Sequence, residues 1–210
     1  MADKETSWRY AEEFVTEPEA IAEARRHAME LGIDSATPAM GAQLALLAAA
    51  GTTHTIMEIG TGAGVSGLWL LRGAPNAILT SIDVEYEHQQ VARTAFADAD
   101  VPANRIRLIT GTALDVLPRM NDGAYDLVFV DADPASLLDY VEHGLRIARR
   151  GGIVVVAHAL WRGRVADPAA RDDTVADYRT LLSAISESDA VVAALSTVGD
   201  GLLQLVKLSD

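Results

Sequence analysis

The 210-residue sequence contains no cysteine. Disulfide bonds, thiolate metal sites and cysteine nucleophiles are therefore excluded, and a chain of this kind can work in a reducing compartment, so we expect a cytoplasmic protein. The amino terminus, MADKETSWRYAEEF, lacks the basic and apolar regions of a signal peptide. No apolar run reaches the roughly 20 residues that a membrane-spanning helix needs. We therefore expect no membrane partner.

Basic residues are scarce as well. The chain has 17 lysines and arginines against 30 aspartates and glutamates, which gives a formal net charge of -13. Such a charge opposes non-specific attraction to phosphate backbones and to anionic lipid surfaces. We therefore expect no nucleic-acid partner.

Half of the residues are hydrophobic, so a chain of this length can enclose one substantial core without a second domain. Residues 18–31 and 38–50 are rich in helix-forming residues, and each stretch is followed by a glycine, which predicts two helices. We interpret residues 1–50 as a helical amino-terminal extension and residues 51–210 as the cofactor-binding part of a single structural domain.

Short apolar runs alternate with amphipathic stretches after residue 50. Five runs predict strands, at 55–59, 78–82, 106–109, 127–130 and 153–157. Alternating strands and helices predict a mostly parallel sheet covered on both faces. Two further runs, 190–197 and 202–208, are joined by a turn too short for a helix, which predicts an antiparallel hairpin. The expected fold is α/β: a Rossmann-like, doubly wound, mostly parallel seven-stranded sheet with a C-terminal antiparallel hairpin and N-terminal helices.

The most informative segment is the glycine cluster GTGAG at 60–64, directly after the first predicted strand. Glycine permits unusual backbone dihedrals and close approach of a ligand, as a cofactor lying over the end of a strand requires. This position favours a cofactor loop over an ordinary tight turn. The segment GAGVSG at 62–67 also has the spacing of a dinucleotide-binding loop, so a nicotinamide- or flavin-dependent enzyme remains an alternative.

Polar residues near three predicted strand ends suggest which cofactor is bound. Glu58 stands just before the first glycine, where a carboxylate suits the cationic end of S-adenosylmethionine better than a pyrophosphate. Asp83 ends the second strand and can accept hydrogen bonds from both ribose hydroxyls of an adenosine, although a solvated acid or helix cap would look the same. Thr112 and Ala113 follow the third strand, where adenine would lie, although an ordinary helix start explains them equally.

Six segments carry a family resemblance: EIGTGAGVSGLWL, TSIDVEYEH, ITGTALDVLP, YDLVFVDAD, RRGGIVVVAHALWRGRVADP and VGDGLLQLVK. With them, residues 35–208 resemble the bacterial and plant O-methyltransferases similar to caffeoyl-CoA and catechol O-methyltransferases. The resemblance implies a class I methyltransferase fold, S-adenosylmethionine as methyl donor, and a homodimer in which the amino-terminal helices are a plausible contact. It also implies cofactor contacts by Ala36, Glu58, Gly60, Thr61, Ser66, Asp83, Val84 and Asp131. Asp133 is a further predicted cofactor-binding residue.

The same family usually holds a divalent cation between an aspartate after the fourth strand and an Asp-Asn pair after the fifth, with a lysine three residues beyond the first aspartate. Asp131 matches that aspartate, but Ala157-His158 replaces the pair and Pro134 stands at the lysine position. Mg²⁺ prefers oxygen ligands, so we expect no Mg²⁺ site. Asp131 and His158 are the remaining metal candidates, and with Asp133 as a third ligand they would suit a transition metal.

Fewer residues are predicted to contact the methyl acceptor. Asp131 is expected near the sulfonium, and His158 is a candidate general base because its ordinary pKa of about 6.5 suits proton abstraction from a hydroxyl. His158 could equally cap a strand and bond the backbone. Trp161, Arg162 and Arg164 follow the fifth strand, where they could line a pocket for a planar or anionic acceptor, or simply pack and balance the acidic surface.

The sequence therefore predicts an S-adenosylmethionine-dependent O-methyltransferase that acts on a small molecule with a hydroxyl group, such as a phenol, without the usual Mg²⁺ site. Asp131 and His158 are its predicted catalytic residues. Two alternatives remain open at this point: a nicotinamide-dependent oxidoreductase, and a cofactor-binding protein that has lost methyl transfer.

Overall fold

Helices and strands alternate along residues 4–209, the part of the chain that the computed structural model describes. The helices of this part are α1 (Lys4–Glu13), α2 (Glu19–Glu30), α3 (Pro38–Ala50), α4 (Val65–Gly73), α5 (Tyr86–Asp98), α6 (Ala113–Val116), α7 (Leu137–Ile147) and α8 (Asp173–Ser186). The strands are β1 (Thr55–Ile59), β2 (Ile78–Asp83), β3 (Ile106–Thr110), β4 (Tyr125–Val130), β5 (Ala148–Val156), β6 (Val191–Ser196) and β7 (Leu202–Lys207). None of these helices is long and apolar enough to cross a membrane.

The seven strands form one sheet in the order β3-β2-β1-β4-β5-β7-β6. Strands β1 to β5 are parallel, whereas β7 runs antiparallel to both of its neighbours, β5 and β6. The predicted fold class, including the hairpin at the carboxyl end, is confirmed. Strand order reverses between β1 and β4, and ligands of doubly wound sheets bind at the carboxyl ends of the strands on either side of such a reversal.

Alternating side chains of the strands supply two cores, one on each face of the sheet. On one face, the amino-terminal helices contribute Met40 and Leu44 to a cluster with Trp69 of α4 and Phe96 of α5. The other face packs Met57 and its neighbours against α7 and α8. The amino-terminal helices therefore share a core with the sheet, and they bring the loop that joins α2 to α3 to its carboxyl edge.

Three elements differ from expectation, and the first is α1, which was not one of the two predicted amino-terminal helices. Strand β5 begins at Ala148 rather than at residue 153, because Ala148 pairs with Tyr125 across a register shift that the polar segment ARRGG does not reveal. The crossover between β3 and β4 contains only the four-residue helix α6 and a 3₁₀ turn, Leu117–Arg119, in place of a long helix.

Candidate functional site

A cleft opens at the carboxyl ends of β1, β2 and β4, with a volume of about 280 Å³. This volume is close to the lower end of the roughly 300–1,000 Å³ that is usual for ligand pockets. Its walls are the glycine loop at 60–64, the ends of β2 and β4, and the 33–36 segment before α3. We call it the main cleft. Nine residues predicted from the sequence line it: Ala36, Gly60, Thr61, Ser66, Asp83, Val84, Ala113, Asp131 and Asp133.

Close approach of two strand ends forms the floor of the main cleft. Gly60 has a φ of +98°, and a Cβ on it would lie 1.9 Å from the carbonyl oxygen of Asp131. Any side chain at this position would push β1 away from β4. Gly64, with a φ of +88°, is the left-handed residue from which α4 begins. Glycine is therefore required at both ends of the turn that opens the cleft.

Asp83 holds the glycine loop in place. Its Oδ2 accepts hydrogen bonds from the backbone amides of Thr61 at 3.0 Å and Gly62 at 2.9 Å, and its Oδ1 accepts one from the amide of Glu85 at 2.9 Å. A carboxylate has about four acceptor positions, so one on Oδ1 is left for an incoming hydroxyl. The sequence did not reveal this role in positioning the loop. Contact of Asp83 with both ribose hydroxyls remains a prediction. In this arrangement it would require the hydrogen bonds from the glycine-loop amides to Asp83 to rearrange.

Glu58 does not line the main cleft but lies behind it, fully buried. Ser66 donates a hydrogen bond to its Oε1 at 2.7 Å, and Ser81 donates one to its Oε2 at 2.5 Å. Burial raises the pKa of Glu58 to about 7, because the two serine hydrogen bonds only partly offset the loss of water and the nearby Asp131 and Asp83 raise it further. Ser66 separates this carboxyl from the cleft.

A charged network places the 33–36 segment against the cleft. Arg25 donates two hydrogen bonds to Glu17, at 2.7 and 2.9 Å, and a third to the hydroxyl of Ser35 at 3.1 Å. Glu17 also accepts a hydrogen bond from the indole of Trp69 at 3.3 Å. This network fixes the position of Ala36. The sequence did not predict this network, because Glu17 and Arg25 are typical surface residues and only the packing of the helices brings them together.

A second, very small cavity adjoins the main cleft, with a volume of about 10 Å³. We call it the side pocket. It shares Asp131, Ala132, Asp133 and Tyr140 with the main cleft. Its remaining wall is formed by Val130, Leu137, Val156, Ala157, His158 and Tyr178. Thr112 lines neither cavity and instead precedes α6 as its N-cap residue.

His158 bridges two aspartates at the back of the side pocket. Its Nε2 lies 3.3 Å from Asp131 Oδ1, and its Nδ1 lies 3.5 Å from Asp200 Oδ2. The hydrogen bond to Asp131 raises the pKa of His158 to about 9 against the opposing effect of burial, and the charges of both aspartates add to the increase. At neutral pH His158 is therefore an imidazolium. The general-base role of His158 stays a prediction, and it would require this imidazolium to lose its proton before the reaction.

Asp200, in the turn between β6 and β7, also holds the segment that carries His158. Both of its carboxylate oxygens accept from the backbone amide of Arg162, at 2.5 and 2.7 Å. His158, Trp161 and Arg162 all have positive φ, between +44° and +57°. Residues other than glycine in this region cost about 1–3 kcal/mol each, so outside contacts must stabilise the segment. The sequence shows Asp200 as an acid in a hairpin turn, but it does not show that the turn lies beside the segment after β5.

The three residues proposed for the acceptor wall lie elsewhere. Trp161 stacks on Tyr178, with ring centroids 5.5 Å apart. Arg162 lies 3.6 Å from Asp34, and Arg164 lies 2.6 Å from Asp172. None of the three lines the main cleft or the side pocket. These contacts agree with the alternative in which Trp161 packs and the two arginines balance the acidic surface.

Few donor atoms around Asp131 are available to a divalent cation. Within residues 4–209, no group of three histidines, aspartates or glutamates could hold a metal ion. Asp131 is already bonded to His158, while Asp133 accepts hydrogen bonds from the amide of Ala135 and the hydroxyl of Ser136. A protonated imidazole has no lone pair to offer a metal.

Comparisons of the sequence and of the structure with known proteins identify relatives of the same kind. Residues 11–208 match the sequence profile of a family described as O-methyltransferase. A Mycobacterium tuberculosis protein named as a probable O-methyltransferase is 46% identical over 204 residues, which are 97% of this chain and 91% of that protein.

Two solved structures illustrate the similarity in three dimensions. The O-methyltransferase TomG from Streptomyces achromogenes, involved in tomaymycin synthesis and solved in complex with S-adenosylmethionine, is 28% identical with a TM-score of 0.86, covering 99% of this chain and 100% of its own. An O-methyltransferase from Bacillus cereus, solved in complex with S-adenosylhomocysteine, is 25% identical with a TM-score of 0.83, covering 95% and 96%.

Replacing Asp200 should loosen the 158–162 segment. In Asp200→Ala the amide of Arg162 loses its acceptor, so we expect trypsin to cleave after Arg162 about ten times faster than in the native protein, since cleavage follows the population of the open segment. Asp200→Asn keeps an acceptor oxygen and should be cleaved at an intermediate rate. Mass spectrometry of timed digests measures both rates.

Asp189→Ala, which alters an exposed acid before β6, serves as the matched control. Equal cleavage rates in Asp200→Ala and the control would show that Asp200 does not hold the segment.

Proposed function

The chain belongs to the O-methyltransferase family, and we propose that it transfers the methyl group of S-adenosylmethionine to a hydroxyl oxygen of a small, phenolic acceptor without a bound Mg²⁺ ion. The observation that carries the proposal is the composition of the main cleft, where nine of the eleven cofactor residues predicted from the sequence lie together. Related enzymes solved with S-adenosylmethionine or S-adenosylhomocysteine support the choice of cofactor. The nicotinamide alternative has no support among these relatives.

We assign the methionine part of the cofactor to the glycine loop and Ser66, the ribose to Asp83 and Val84, and the adenine to Ala113. Asp131, which both cavities share, would then lie beside the sulfonium. The acceptor would enter next to Asp131, where the main cleft meets the side pocket. The side pocket must widen for any acceptor that reaches His158, because its volume of about 10 Å³ is roughly that of one water molecule.

The reaction is a direct displacement. A lone pair of the acceptor oxygen forms the new O–CH₃ bond while the CH₃–S bond breaks, and the released electron pair neutralises the sulfonium to give S-adenosylhomocysteine. The hydroxyl proton leaves through a hydrogen bond to the Asp131 carboxylate and then to water. His158 acts as the cation that orients Asp131. Holding the two reacting atoms in line supplies much of the rate in such reactions.

Calorimetric titration and a methylation assay test this function together. We expect S-adenosylmethionine and S-adenosylhomocysteine to bind, NAD not to bind, and a panel of phenols to yield S-adenosylhomocysteine at a rate that EDTA does not change. Binding of NAD alone would contradict the assignment of the cofactor. Turnover that EDTA abolishes and Mg²⁺ restores would contradict metal independence.

Glu58 should couple cofactor binding to pH. A cationic cofactor stabilises the Glu58 carboxylate and lowers its pKa from about 7, so binding should release a proton near neutral pH and the affinity should rise several-fold from pH 6 to pH 8. Calorimetry in buffers of different ionisation enthalpy measures the proton release. In Glu58→Gln the proton release that comes from residue 58, and its part of the pH dependence of affinity, should disappear.

The difference between the native protein and Glu58→Gln is the readout, because the cofactor's own amino group titrates equally in both. An identical pH profile in the two proteins would show that Glu58 does not titrate with the cofactor. Ser66→Ala, which removes one hydrogen bond to Glu58, should shift the midpoint of the profile to higher pH.

We also propose a homodimer in which α1 contributes to the contact. Trp8 and Tyr10 of this helix and Phe14 directly after it are 53%, 73% and 78% exposed, an unusual apolar surface for so short a segment. Light scattering should give twice the 22.3 kDa mass of one chain, and the double variant Tyr10→Ser, Phe14→Ser should shift the mass towards a monomer. A monomeric native protein would contradict the proposal.

A further inference from the structure

A groove of about 350 Å³ lies at the opposite edge of the sheet from the main cleft. Residues near the amino ends of β1, β2, β3 and β4 line it, together with the segment that precedes β4. The crossover from β3 to β4 contains only the short helix α6 and a 3₁₀ turn, which leaves room for the groove. We call it the basic groove, because its described lining includes Arg107 and Arg119 but no aspartate or glutamate.

The charges of Arg107 and Arg119 are not neutralised by the protein. Both side chains are exposed, and within residues 4–209 neither forms an ion pair or a hydrogen bond. Two acids of the same region, Asp122 and Asp126, pair with other arginines instead. Two cations that line one groove without an acidic partner favour an anionic ligand, even in a chain whose net charge is -13.

Thr80 is independent evidence for a ligand in the basic groove. It lies beside Arg107 in the pairing of β2 with β3, lines the groove, and is only 4% exposed. Its hydroxyl nevertheless forms no hydrogen bond with any residue that the structure describes. Buried polar side chains are nearly always hydrogen-bonded, because burial without a partner is unfavourable. An oxyanion held by the neighbouring arginine would supply the acceptor that this hydroxyl lacks.

We propose that the basic groove binds a small phosphate monoester. A guanidinium can bind two phosphate oxygens at once, and two guanidinium groups match the charge of about -2 that such a phosphate carries near neutral pH. The organic part of the ester would pack against Ile78, Met120 and Tyr125, which supply an apolar wall of the groove. A volume of about 350 Å³ lies within the range that is usual for sites of small molecules.

The basic groove is separate from the proposed methyl-transfer site. Thr80 precedes Asp83 by three residues of β2, which corresponds to about 10 Å along the strand. Among the described residues, none lines both the basic groove and either of the two other cavities. Binding in the groove can therefore be tested without any methyl acceptor, and its failure would leave the proposed function unaffected.

Calorimetric titration with phenyl phosphate, inorganic phosphate, benzoate and phenol tests the ligand class. We expect phenyl phosphate to bind at least about tenfold more tightly than each of the other three, because it alone combines the doubly charged group with an apolar body. Its affinity should fall severalfold in 0.5 M salt, since salt screens charges at exposed groups. S-adenosylhomocysteine should leave its affinity unchanged, since the main cleft lies elsewhere.

Variants of the lining residues locate the bound phosphate. Arg107→Gln and Arg119→Gln should each weaken the binding of phenyl phosphate about tenfold, since a charge-assisted hydrogen bond is lost in each. Thr80→Val keeps the shape of the side chain, removes the hydroxyl, and should weaken binding severalfold. Arg93→Gln, at an exposed arginine of α5 outside all three cavities, is the matched control and should keep the native affinity.

Four results would overturn the inference. Phenyl phosphate might be bound no more tightly than inorganic phosphate, which would leave only a non-specific anion, or no more tightly than benzoate or phenol, which would remove the preference for a phosphate. Equal affinity in the native protein and in both arginine variants would place the ligand outside the basic groove. Displacement of phenyl phosphate by S-adenosylhomocysteine would place it in the main cleft. A native protein that does not bind phenyl phosphate at all would refute the site.

Discussion

The site depends on the close contact between Gly60 and the backbone of Asp131. It brings the ends of β1 and β4 together at the point where strand order reverses, and a Cβ at residue 60 would lie 1.9 Å from the Asp131 carbonyl oxygen. Because both cavities share Asp131, the same contact fixes where donor and acceptor would meet. The three backbone hydrogen bonds to Asp83 then hold the glycine loop against this point. Positioning by backbone geometry suits a reaction in which alignment matters more than chemical assistance.

Electrostatics favours a cationic cofactor in this cleft. Glu58 is buried behind the cleft, Asp83 and Asp131 line it, and the imidazolium of His158 pairs with Asp131. A sulfonium adds the positive charge that these acids lack. Methyl transfer removes that charge from sulfur, so the product cofactor is held less strongly by the same carboxylates. The acidic lining thus favours the donor over the product that must leave.

Periodicity and glycine spacing were sufficient to predict the sheet, the hairpin and the main cleft, because these features arise from local patterns and from the rules of parallel strand connection. The sequence did not reveal the early start of β5, where pairing of Ala148 with Tyr125 outweighs a polar local sequence. It also missed Asp200 and the Glu17–Arg25 pair. Their roles come from neighbours that are distant along the chain, and a single sequence carries no signal for such contacts.

His158 shows why a residue type alone does not define a catalytic role. An isolated histidine suits proton abstraction, but contacts with Asp131 and Asp200 raise its pKa to about 9 and make it a hydrogen-bond donor. In the family that the chain resembles, a divalent cation occupies the neighbourhood of the matching aspartate. The imidazolium places one positive charge beside Asp131 but offers no open coordination position for an acceptor oxygen. The contact with His158 therefore orients Asp131 and balances its charge, which is a different task from coordinating an acceptor oxygen.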